Sequence, residues 1–354
     1  MPTVICLKVP KRLGEQSILL VKEIELLNPN LQISQTENWL LIPLVSEPSN
    51  DALIKLKKLT TFELSVCDLP ERQRRHTTHI EVLKYKLHPT QLKHVPRAID
   101  FVGDIAIVEV PDELSGYKKE IGQAILKSHK QTVTVLAKSG IVEGVYRIRD
   151  LEVIAGENKT TTMYKEYDCQ YHVDVAKAFF SPRLSTEHNR VTSLVKEGES
   201  VVDLFAGVGP FVIPIAKKQK NVQVFAIDIN PDAVALLRRN VVLNRVEKQV
   251  VSILGDARKI VKKNLLGKAD QVIMNLPETA LEFVDVACDA IKPEGGIIHY
   301  YCFVKNSKPL EIAKAQLVKA VNQNNRQVTS FLFAKTVREV APYTYQVVVD
   351  AVLQ

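Results

Sequence analysis

Four short segments place a polar residue where an apolar run gives way to a turn. They are Val201-Val-Asp-Leu-Phe-Ala-Gly-Val-Gly-Pro-Phe, Ala226-Ile-Asp-Ile-Asn-Pro, Gly255-Asp-Ala-Arg and Met274-Asn-Leu-Pro. In the first, Gly207 and Gly209 let the backbone turn sharply and pass close to a ligand without a side chain in the way. A dinucleotide fingerprint would need a third glycine where Val212 stands, and Pro210 opens the helix instead, which disfavours a pyrophosphate. Asp203 would repel phosphate but can order or attract an ammonium-bearing amino-acid group. Asp228 is placed to accept both hydroxyls of a ribose, and Asp256 to take an adenine amino group. Asn275 completes the row. Any one of these carboxylates alone is better explained as a helix N-cap. Four polar side chains at successive strand ends point to a ligand site.

Such residues need a scaffold that brings strand ends together. From about residue 171 the apolar pattern predicts strands at Ser200–Phe205, Val222–Ile227, Val250–Leu254, Gln271–Asn275 and Gly296–Val304. Helices are expected at Pro210–Lys218, Pro231–Asn244, Ala257–Lys263, Pro277–Ile291 and Lys308–Asn322, and two strands, Gln327–Ala334 and Tyr345–Val352, close the chain. Short apolar strands alternating with helices imply a Rossmann-like, doubly wound and mostly parallel sheet covered on both faces. Ligands bind such sheets beyond the carboxyl ends of the strands.

Two smaller α+β regions are expected before this domain of residues 171–354. Residues 1–66 read as strand, helix (Glu15–Asn28), strand (Asn38–Leu44), helix (Asp51–Lys58) and strand (Thr61–Val66). Residues 67–94 read as a basic linker. Residues 95–170 read as a middle domain with a helix at Asp112–Ser128 and strands at Val133–Ala137 and Leu151–Val153. Arg147 and Arg149 lie two apart in its last part, on one face if that segment is extended.

Composition limits the function classes. The 354 residues are 46% apolar and 25% charged, as expected of a globular chain of two or three domains. The longest strongly apolar stretches, such as Gly296–Val304, fall far short of the roughly 18 residues a membrane span needs. Five scattered cysteines without a CxxC pair argue against a disulfide framework or a zinc site and fit a reducing cytoplasm. The net charge is +7, and ten Lys/Arg against four Asp/Glu fall between Ile54 and Ala98, with His76, His79, His88 and His94. That stretch fits either a polyanion footprint or a solvated linker.

The order of the four motifs resembles the class I S-adenosylmethionine-dependent methyltransferases, and Asn-Leu-Pro resembles the branch that methylates RNA bases. The match runs nearly the whole length of the chain. Leu7-Lys…Gly14-Glu-Gln, Val102-Gly-Asp-Ile, Tyr146-Arg-Ile-Arg-Asp-Leu-Glu…Ala155-Gly-Glu-Asn, Phe180-Ser-Pro-Arg, His299-Tyr-Tyr and Arg338…Ala341-Pro-Tyr all look like archaeal tRNA (guanine-N1)-methyltransferases of the position-37 type. The resemblance implies S-adenosylmethionine as cofactor, held by Asp203, Phe205, Gly207, Gly209, Asp228, Ile229, Asp256 and Asn275, and no metal. It implies tRNA as the partner: the N-terminal domain meets the outer corner, and the other domains grip the anticodon stem-loop. A cytoplasmic monomer without a stable protein partner is expected.

Guanine N1 carries a proton at neutral pH, so methylation there needs a base and a partner for the charge developing on O6. By the resemblance Glu187 is the base and Arg147 the O6 partner, with Asn275 and Pro277 holding the flipped guanine and Phe179 offering a stacking face. Arg183 and His188 complete the substrate set. By their types alone, Glu187 fits a dipole-favoured helix start, Arg147 a surface ion pair and Phe179 a core position. Relatives often carry Tyr at the position of Phe179 and Arg at that of His188, which removes a hydroxyl and a phosphate clamp. Three alternatives stay open at this point: a wyosine-pathway enzyme (C7 methylation or aminocarboxypropyl transfer), a non-catalytic tRNA-binding protein, and a nicotinamide oxidoreductase, the last disfavoured by Val212 and the basic N-terminal half.

Overall fold

The computed structural model describes residues 2–59, 61–71, 78–143, 146 and 148–354, with residues 59, 141–143 and 149 described by backbone alone. The chain divides into two compact units, Met1–Thr77 and Thr78–Gln354.

In the first unit, strands β1 (Thr3–Pro10), β2 (Ser34–Gln35), β3 (Trp39–Pro43) and β4 (Glu63–Asp68) form an antiparallel sheet in the order β2-β3-β1-β4. Helices α1 (Gly14–Glu23) and α2 (Asn50–Leu59) accompany it. Leu7, Val9, Val21, Ile42 and Leu56 make its core. Helix α1 stops five residues before the expected end because Glu25 takes a left-handed conformation, φ 57°, which no helix continues.

The second unit opens with two short helices, α3 (His79–Leu83) and α4 (Pro89–Leu92), inside the stretch expected to be linker. Thr78 and Glu81 form a reciprocal capping box on α3. Leu83, Leu87 and Val95 are buried in one cluster with Ile121 and Ile125, so residues 79–95 are anchored by apolar burial despite their charge. Around that cluster lie β5 (Ile99–Val102), β6 (Ile105–Val108), α5 (Lys118–Ser128), β7 (Thr134–Glu143) and β8 (Ile148–Gly156), with the strands in sequence order in one sheet. The expected helix at Asp112–Ser128 begins as a 3₁₀ segment and turns α-helical only at Lys118. A hairpin of β9 (Thr161–Glu166) and β10 (Cys169–Asp174), which the sequence reading omitted, leads to α6 (Ser185–Leu194).

The large sheet is built from β11 (Ser200–Asp203), β12 (Gln223–Asp228), β13 (Val250–Leu254), β14 (Gln271–Met274), β15 (Gly296–Lys305), β16 (Val328–Ala341) and β17 (Thr344–Leu353). Its order is β13-β12-β11-β14-β15-β17-β16, parallel through β15 and antiparallel at β17 and β16. Helices α7 (Val212–Lys218), α8 (Pro231–Leu243), α9 (Ala257–Ile260), α10 (Val284–Ala290) and α11 (Pro309–Asn322) connect the strands. Two apolar clusters follow from this layout, one containing Val202, Met274, Tyr300 and Leu317, the other Val201, Phe211, Leu237 and Tyr301. Alternate residues of one strand thus enter different clusters, as the pleat requires. The chain leaves β11 toward β12 and later returns on its other side as β14. This reversal of strand order opens a crevice at the strand ends.

Candidate active site

A cavity of about 490 Å³ lies at that crevice. Strand ends supply part of its polar lining: Asp228 as the last residue of β12, Asp256 after β13 and Asn275 after β14. Gly207, between β11 and α7, contributes backbone. Phe205, Ile229, Pro277, Phe179 and His188, all expected from the sequence, line it as well.

Each strand end is shaped by local hydrogen bonds. Asp228 joins two loops, accepting from Gly207 N at 2.7 Å through Oδ2 and from Asn230 N at 2.9 Å through Oδ1. Asn230, not Asp228, caps α8, receiving the N–H groups of Asp232 and Ala233. Asp256 fits both readings of a strand-end carboxylate: it caps α9 through Arg258 N and Lys259 N, and it lines the cavity. Gly207 and Gly209 have φ of 53° and 96°, and a Cβ on Gly209 would come within 2.7 Å of Leu237 and 2.8 Å of Ile213. Glycine at 209 is therefore required by backbone conformation and packing together. Gly209 itself does not line the cavity.

Asp203 stands behind the lining and is wholly buried. Its Oδ1 accepts from Phe205 N at 3.0 Å, and Oδ2 has no partner among the described residues. Burial pushes this carboxyl up to about 7, against the Phe205 N–H, with the Asp228 charge adding to the rise. Asn275 Oδ1 and His188 Nε2 are likewise buried without partners among the described residues, and both residues line the cavity. Buried polar atoms are normally satisfied in a folded protein. Orphans at a cavity wall fit a ligand that brings its own donors and acceptors. The cavity therefore suits a nucleoside bearing a charged tail: carboxylates at Asp228 and Asp256, aromatic walls at Phe205 and Phe283, and open hydrogen-bonding capacity nearby.

Glu187 and His188, consecutive on α6, diverge by about 100° around the helix. Glu187 is 4% exposed and is not part of the cavity lining. Its Oε2 accepts from Arg190 Nε at 2.8 Å and from the Tyr301 hydroxyl at 3.0 Å. Arg190 also grips the buried Asp350, whose Oδ1 lies 2.8 Å from His299 Nδ1. Burial raises the Asp350 carboxyl, but His299 and Arg190 outweigh it and hold the group below the usual carboxylate range. Burial and then the Glu187 charge hold the Tyr301 phenol protonated, as a donor. His188 turns the other way, with Nδ1 2.7 Å from Glu166 Oε1.

Arg183 lies outside the lining and pairs through Nε with Asp100 on β5 at 2.5 Å. Phe179 is exposed at the cavity rim. Arg147 lies outside the described residues. The sequence reading missed Phe283, Phe303, Arg338 and Gln346, which all line the cavity. Arg338 reaches it because β16 continues seven residues beyond its expected end, Ala334, to Ala341. Among the described residues no cluster of metal-ligating side chains occurs, and no helix is long and apolar enough to cross a membrane.

The chain is similar to known proteins along nearly its whole length. Residues 162–329 match the family model for the TRM5/TYW2 methyltransferase domain, residues 80–160 that for a TYW2 N-terminal domain, and residues 6–52 that for the tRNA methyltransferase 5 N-terminal domain. The tRNA (guanine(37)-N(1))-methyltransferase Trm5b of Pyrococcus abyssi is 40% identical, over 98% of both chains. The tRNA 4-demethylwyosine(37)-methyltransferase Taw21 of Saccharolobus solfataricus is 38% identical over 72% of this chain and 93% of its own. The solved complex of aTrm5 with tRNALeu is 32% identical with a TM-score of 0.70, covering 98% of this chain and 99% of that one.

Proposed function

The chain belongs to the Trm5 family of tRNA methyltransferases, and from that membership we propose that it transfers a methyl group from S-adenosylmethionine to N1 of guanosine 37 of tRNA, beside the anticodon. The observation that carries this reading is the crevice at the β11/β14 reversal, where Asp228, Asp256 and Asn275 converge on one cavity. S-adenosylmethionine supplies, when bound, a methyl group made electrophilic by its sulfonium. Asp228 would hold the ribose hydroxyls and Asp256 the adenine amino group, with Phe205 and Ile229 against the rings. Asp203 and the Gly207–Gly209 turn would shape the amino-acid end.

The target guanine would leave its stack, at a cost of a few kcal/mol that is smallest in an unpaired loop. Asn275 and Pro277 would orient it, and the exposed ring of Phe179 would stack on it. Glu187 would take the N1 proton. Among the described residues both donors to Glu187 meet its Oε2, so Oε1 would be the atom to accept that proton. Arg147 would meet O6, and Arg183 with the other basic residues would meet phosphates of the anticodon stem-loop and outer corner.

Glu187→Gln tests the reading. Cofactor and tRNA binding should stay nearly intact while single-turnover methylation slows by about 10²–10⁴-fold. Normal chemistry with lost binding would sink the assignment of the base. The identity to Taw21 supports a second reading, methylation of a tricyclic guanosine derivative at the same position. Nucleoside analysis of the product separates the two.

A further inference from the structure

The resemblance places His188 in the substrate set, at a position where relatives often carry Arg. The structure buries it to 1% exposure. Its Nδ1 lies 2.7 Å from Glu166 Oε1 on β9, and the Glu166 side chain is itself 4% exposed. The Phe211 ring packs edge-on against the imidazole, with centroids 4.6 Å apart. The ring is thus fixed by a carboxylate and an aromatic wall. His188 lines the cavity while Glu166 does not, and Nε2 is the ring nitrogen left without a partner among the described residues.

With a carboxylate at Nδ1 the neutral imidazole carries its proton there, and in that tautomer Nε2 presents a lone pair. That lone pair needs an N–H or O–H from whatever fills the cavity. Phe211 belongs to the turn between β11 and α7, so this contact is at the first strand-to-helix turn, away from Asp256 beyond β13. Two buried acidic side chains lie here, Glu166 behind the imidazole and Asp203 at the end of β11, and a bound cation would favour their ionised forms.

Building on S-adenosylmethionine as the cofactor in the proposed function, we infer that the Glu166–His188 pair anchors its α-ammonium group, with His188 Nε2 accepting an N–H and Glu166 fixing the tautomer. Glu166 is here a positioning residue, and His188 the contact.

Calorimetric binding of three adenosine compounds tests this. S-adenosylhomocysteine carries the ammonium and the carboxylate, decarboxylated S-adenosylmethionine only the ammonium, and 5′-methylthioadenosine neither. His188→Phe should weaken the first two by roughly tenfold or more, as expected for a lost hydrogen bond to a charged group, and leave methylthioadenosine unchanged. His188→Gln, with an amide oxygen near the Nε2 position, should recover most of the loss. Because His188→Phe strands the buried Glu166 charge, the double variant Glu166→Leu/His188→Phe provides a second test with both partners removed; it should show the same pattern. Equal weakening of all three ligands would mean that the pair only shapes the wall and would overturn the inference. So would unchanged binding, or a loss confined to S-adenosylhomocysteine, which would make the carboxylate the partner. If the unaltered protein bound none of the three, the cofactor reading itself would fall, and the inference with it.

Discussion

Asp203 shows how much one residue's setting decides. The strand-end position reads directly from the sequence, but its complete burial does not. A carboxyl raised to about 7 in the fold binds its proton more tightly than in the unfolded chain. The burden of its charge is therefore absent below the ordinary value of 3.8 and grows as pH rises through about 7. Asp203→Asn keeps an acceptor for Phe205 N and removes that charge. Its melting temperature should exceed that of the unaltered protein by several degrees at pH 8, with the difference shrinking as pH falls below about 7 and vanishing only below the ordinary value of 3.8. A difference that does not vary with pH would contradict the account. Asp228, Asp256 and Asn275 were legible because each sits in a local motif with a recognisable strand before it. The distant partners of Glu187 and His188 were not. Tyr301 and Glu187 are 114 residues apart in the chain and Glu166 and His188 are 22 apart, and no local pattern announces either pairing.

At the scale of elements, alternating apolar strands and helices made the catalytic sheet readable, and the strand at Val250–Leu254 was placed to the residue. Departures arose where tertiary contacts overrode periodicity. Helix α9 gives way at Val261 to a π-helical turn, and the expected helix from Pro277 starts only at Ala280, leaving 277–279 free to line the cavity. The hairpin β9–β10 escaped notice because its anchors are side chains on a distant helix. Asn240 on α8 accepts from His172 N at 2.7 Å and donates to His172 O and Val208 O at 3.1 and 3.0 Å. One amide thereby ties the edge of β10 to the turn that carries Gly207 and Gly209. Asn240→Ala leaves those backbone groups buried and unsatisfied and should cost about 1–3 kcal/mol in denaturant unfolding. A change below about 0.5 kcal/mol, typical of neutral surface positions, would show that the hairpin is held by other contacts.

At the scale of the molecule, two units with separate cores carry a net charge of +7. Removing residues 1–77 should leave 78–354 folded, with its own thermal transition, while weakening tRNA binding. Unchanged affinity would rule out a contact by the first unit. Binding by the full chain should fall by roughly 0.7–0.9 log units per log unit of salt for each phosphate neutralised, and a flat response would count against tRNA. The most direct test gives the full chain labelled S-adenosylmethionine and unmodified tRNA transcripts carrying guanosine or adenosine at position 37, and identifies the modified nucleoside. The account predicts 1-methylguanosine from the guanosine transcript and no product from the adenosine one. Methylation of both transcripts, or cofactor binding without product on either, would contradict it.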